Sequence, residues 1–80
     1  MTIKLPGGEV YMGTALQIAR QMQSGSFSGS ALSLADYLRE TARRAEQYED
    51  ATINLAGSTD EELAASFVSE LLREGLAVEL

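Results

Sequence analysis

"TDEELAASFVSELLREG", residues 59–75, decides the fold. Thr59 offers a hydroxyl to the orphan backbone N–H groups of a first helical turn, and Glu62, three residues on, reaches back to the cap. Gly75 supplies a natural stop. Between them, at 100° per residue, Leu63, Ala64, Ala65, Phe67, Val68, Leu71 and Leu72 cover roughly 200° of arc, about twice what one core-facing stripe needs. The spacing predicts a helix over 60–74 that is covered on two sides. The cover is either a sheet with a neighbouring helix or a partner chain.

The flanks of this helix read as extended chain. "ATINLAG", 51–57, alternates so that Ile53 and Leu55 face the core, and it is predicted as a strand ended by Gly57. "LAVEL", 76–80, is predicted as a short strand with Leu76, Val78 and Leu80 on one face. Two earlier stretches repeat the capping device. "TALQ" at 14–17 opens a helix over 15–23, and "SLAD" at 33–36 opens one over 34–48. The chain begins with "TIKLPGGEVYM", 2–12, a hairpin in which Pro6 pre-sets a turn angle and Gly8 takes a left-handed one. Its strands are too short to stand alone and need a helix over their apolar face.

The predicted fold is therefore α+β: a small two-layer domain of order β-β-α-α-β-α-β. A short, mostly antiparallel sheet packs against three helices. Eighty residues make one domain, 1–80, with a flexible Gly/Ser-rich connection expected at 24–30. That connection, within "QSGSFSGSALS" at 23–33, holds Phe27, one of only two phenylalanines. The expectation is a ring tucked into the core edge, with Ser24, Gly25, Ser28 and Gly29 exposed. The alternative is an anchor held out for a partner.

Composition excludes several functions. The chain has no histidine and no cysteine, so the commonest general base, a thiol nucleophile and a disulfide framework are all missing. "GSFSG", 25–29, has phenylalanine where a serine-hydrolase elbow has its nucleophile. Neither standard phosphate-binding glycine spacing occurs. Asp60, Glu61 and Glu62 read as carboxylates complementing a helix dipole rather than as metal ligands. No enzyme, cofactor or metal is expected.

The net charge is −6, from twelve acidic and six basic side chains, which opposes binding to nucleic acid or to an anionic membrane. "FVSELLREGLAVEL", 67–80, has a rhythm similar to the last helix and first wing strand of a winged helix. A recognition helix needs basic residues on its exposed face, however, and this one sets Arg73 against Glu61, Glu62, Glu70 and Glu74. No run of residues approaches a membrane span, and the N-terminus lacks a signal-peptide pattern, so a cytoplasmic location is expected. The bias to arginine over lysine and the abundance of alanine suggest a GC-rich bacterial or phage genome.

Arg39, Arg43 and Arg44 form the one basic concentration. Pairing along the helix (Asp36 with Arg39, Glu40 with Arg44, Arg43 with Glu46) is the expected arrangement, and an anionic partner the alternative. Taken together, the residues predict a non-enzymatic protein–protein interaction module, a self-associating bacterial or phage accessory protein. Its interaction candidates are Phe27, Ala65, Val68, Leu72, Arg39 and Arg43. An acidic inhibitor or nucleic-acid mimic occupying a basic groove of a partner is the alternative. The partners expected are a second copy and, beyond it, another protein.

Overall fold

Each helix begins where its hydroxyl residue caps it. The structure, a computed structural model, describes residues 1–26 and 31–80. Helix α1 spans Ala15–Ser24, α2 Leu34–Glu49 and α3 Asp60–Arg73. Thr14 and Thr59 form complete capping boxes with Gln17 and Glu62, while Ser33 accepts only the Asp36 N–H. Asp36 is a carbon shorter than glutamate, and no return bond to the cap forms. Helix α3 ends in a Schellman turn. The Leu76 N–H reaches the Leu71 carbonyl (2.9 Å) and the Gly75 N–H reaches that of Leu72 (3.2 Å). Gly75 sits at φ +74°, where a side chain would be strained.

Three strands form one antiparallel sheet of order β2-β1-β3: β1 is Thr2–Lys4, β2 Val10–Met12 and β3 Val78–Glu79. The architecture is thus α+β, with the helices and the outer strands in the predicted sequence. The strand predicted over 51–57 is the exception. That segment is extended but pairs with no strand among the described residues.

Its polar groups go to α3 instead. The N–H groups of Thr52, Asn54, Ala56 and Ser58 donate in turn to side-chain oxygens of Glu74 (2.7 Å), Glu70 (2.9 Å), Ser66 (3.0 Å) and Glu62 (3.1 Å). Alternate residues of the extended chain thus meet every fourth residue of the helix, running the opposite way. The periods nearly match: four helical residues rise ~6.0 Å and two extended residues ~6.6 Å. We call 51–58 the strap. Arg73 adds a bond from its guanidinium to the Thr52 carbonyl (2.9 Å). The predicted alternation holds, with Ala51 and Ile53 buried and Leu55 half-buried. Gly57 is required where the strap meets the first turn of α3. Its φ is +111°, and a Cβ there would lie 2.3 Å from Glu62 Cβ.

The core runs between the helices and one face of the sheet. Ile3, Ile18, Leu38, Phe67 and Val68 are its largest enclosed side chains. Helix α3 packs against both α1 and α2, so its wide apolar arc is covered from two sides within one chain. The connection expected at 24–30 lies partly outside the described residues. Ser24 is the last residue of α1 and Gly25 its C-cap, both exposed. Phe27, Ser28 and Gly29, with the expectations attached to them, lie outside the described residues.

Candidate interaction surface

The register of the sheet decides which side chains are left in the open. Ile3 stands opposite Tyr11, with Thr2 opposite Met12 and Lys4 opposite both Val10 and Val78. The bond from the Leu80 N–H to the Thr2 carbonyl (2.9 Å) continues the ladder one residue further. Ile3 and Tyr11 therefore share the covered face. Thr2, Lys4, Val10, Met12, Val78 and Leu80 share the other, which no element covers among the described residues.

The open face has two rows across the strands. One reads Met12–Thr2–Leu80 and the other Val10–Lys4–Val78. The four outer positions are all apolar and all exposed: Met12 61%, Leu80 68%, Val10 48% and Val78 55%. The centre is polar and narrow. Lys4 is the only lysine of the chain and has no ion-pair partner among the described residues. Glu79 alternates to the other side of β3, so no carboxylate side chain of the strands lies on this face.

The hairpin turn produces this arrangement. Leu5 and Glu9 close a three-residue loop, with the Leu5 N–H on the Glu9 carbonyl (2.9 Å) and Gly8 at φ +97°. An odd loop pairs odd residues with odd, which seats Tyr11 beside Ile3 and turns Val10 and Met12 outward. Val10 and Met12 alternate with Tyr11 in the sequence, and alternation alone does not say which side they face. The signal that finds them is the loop length in "LPGGE", 5–9.

The predicted interaction residues are scattered. Val68 is 1% exposed, enclosed among the helices, so it presents no surface. Leu72 is half-buried against the core, and Ala65 alone of the three is exposed. Val68 is thereby corrected as a surface residue, since α1 and α2 cover its side of the arc, while Ala65 and Leu72 keep some exposure. Arg39 and Arg43 are exposed on α2, but their charges are met locally. Arg39 pairs with Asp36 (3.4 Å), and Arg44 with Glu40 (3.5 Å), as expected. Arg43 turns to Glu40 (Nε–Oε2 3.2 Å) and Gln47 rather than to Glu46. Glu40 stands one turn before both arginines, and they hold its carboxyl below the usual range, chiefly through the Arg43 hydrogen bond.

The other carboxylates are similarly engaged. The Arg73 guanidinium, with the Asn54 N–H, holds the Glu70 carboxyl down at about 2. The Ser58 and Thr59 N–H groups lower that of Glu62. These acids serve the strap and do not form an outward file of charge. No group of metal-ligating side chains occurs among the described residues.

A concavity of about 430 Å³ opens between the hairpin turn and the C-terminal half of α2. Leu5, Met22, Ala45, Phe67 and Leu71 line it, with Arg44 and Tyr48 at the rim. No helix of the described residues is long and apolar enough to cross a membrane. No protein-family model, curated protein or solved structure matches this chain. What the open face can do is chemically simple: exclude water against another apolar surface while a central ammonium and hydroxyl set the register.

Proposed function

We propose that the chain is a non-enzymatic protein–protein interaction module, a self-associating bacterial or phage accessory protein of the cytoplasm, and that it works through the open face of its sheet. One observation carries this reading. Four large apolar side chains, Val10, Met12, Val78 and Leu80, stand exposed on either side of Thr2 and Lys4 on one sheet face, and clustered exposed apolar groups with polar neighbours mark interaction sites. The residue inventory supports it, since histidine and cysteine are absent and the carboxylates that depart furthest from ordinary behaviour hold structure.

The test is the reactivity of Met12. Hydroxyl-radical oxidation of Met12 is measured in an extract of the native host and in the purified chain at high dilution. Several-fold protection in the extract is expected, because a protein surface lies over the face. Equal reactivity in both contradicts the reading.

A further inference from the structure

We infer that the occupant of the open face is a second copy of this chain, stacked sheet on sheet about a two-fold axis that crosses the strands. The inference rests on the interaction reading above and names its partner.

The two rows make the face self-complementary. A two-fold axis lying in the interface, at the level of Ile3 and perpendicular to the strands, exchanges the rows while keeping each strand over its own counterpart. Met12 of one copy then meets Val10 of the other, and Leu80 meets Val78. Thr2 meets Lys4. Every apolar corner faces an apolar corner, and each ammonium faces a hydroxyl.

The competing two-fold, parallel to the strands, stacks Lys4 on Lys4 and sets like charges opposite each other. Aligned sheets lie ~10 Å apart when they pack face to face, close enough for side chains of both rows to interdigitate. Glu79 alternates away from the interface, so the chain's net negative charge is not concentrated there.

Size sets the strength. Three strands span about 15 Å, and the face is smaller than the ~800 Å² per partner of a standard interface. The dimer is therefore expected with a dissociation constant on the order of micromolar.

Sedimentation equilibrium tests the axis directly. The wild type is compared with Thr2→Lys and with the exchange Thr2→Lys plus Lys4→Thr, each checked for an unchanged circular dichroism spectrum. Thr2→Lys places a lysine opposite Lys4 twice and is expected to weaken the dimer at least tenfold. The exchange restores a lysine–threonine contact at both places and is expected to return within about threefold of wild type. A wild-type chain that stays at 8.6 kDa up to several hundred micromolar overturns the inference. So does an exchange variant no better than Thr2→Lys alone. A monomer whose Met12 is nonetheless protected in extract means that another protein takes the face. The inference then fails, and with it the self-association named in the proposed function; only the reading of the face as an interaction surface stands. An unprotected Met12 removes both.

Discussion

The strap and the sheet are two answers to one sequence pattern. Both are short extended stretches of alternating apolar residues, "ATINL" at 51–55 and "KL…VYM…VEL" across the sheet. In the strap, Ala51 and Ile53 turn inward and the alternate N–H groups bond to α3. In the sheet the backbone groups are met by other strands, and Val10, Met12, Val78 and Leu80 turn outward. Alternation states which residues share a face. It does not state whether that face is covered. The partner's register settles that, and the two regions have different partners.

The comparison breaks first at the core beneath the strap. Phe67 is fully enclosed, and Phe67→Ala should cost about 3–5 kcal/mol, much of the stability of a domain this size. Met12→Ala, on the open face, should move the stability of the isolated monomer by less than about 0.5 kcal/mol. Chemical denaturation of both, at concentrations where the chain is monomeric, checks the contrast. Equal losses would mean that the open face is part of the core.

A smaller effect isolates the seam of the strap. Gly57→Ala should cost about 1–3 kcal/mol, because the added Cβ meets Glu62 and φ is positive. The same change at Gly8 adds only the backbone strain, since nothing stands within 4 Å of its Cβ position. Thermal melts rank the two. A Gly57→Ala variant no worse than Gly8→Ala would show that the strap does not need its close approach to α3.

The helices were legible because their signals are local. Thr14, Ser33 and Thr59 each announce a cap within four residues, and each caps the helix it was expected to cap. The strap was half legible. Its inward residues follow from alternation, but its partner was mistaken for a strand. The missing signal is the fourfold spacing of Glu62, Ser66, Glu70 and Glu74, a row of acceptors along one edge of α3. The cover over α3 was not legible, because its wide arc is met by two helices brought from distant parts of the chain, which periodicity cannot count. The outward set of the sheet depends on three residues of loop, a parity that composition does not carry.

Acid should loosen the strap and leave the sheet intact. Glu70 and Glu62 have lowered folded pKa values, so their contribution is present above the ordinary carboxylate value of about 4.3. It is lost as the pH falls, for Glu70 toward about 2. Between those limits the backbone amides of Asn54 and Ser58 should exchange with solvent faster relative to those of Ile3 and Tyr11, once intrinsic rates are divided out. Hydrogen exchange read by NMR checks the order. Strap and sheet amides losing protection together would contradict it.

Smallest of all is the effect expected at the basic cluster. Arg43→Ala should leave stability and association nearly unchanged, since its exposed pairing with Glu40 is among the weakest kinds of contact. A large loss of association in sedimentation would move the interaction surface to α2.

The central claim is that this chain meets its partner through the open face of the sheet and not through α3. Leu80→Glu and Ala65→Glu each place a carboxylate at an exposed site, one on each surface. Their association constants, measured by sedimentation beside the wild type, test the claim most directly. The account predicts that Leu80→Glu abolishes association while Ala65→Glu preserves it within about threefold, and the reverse result would contradict it.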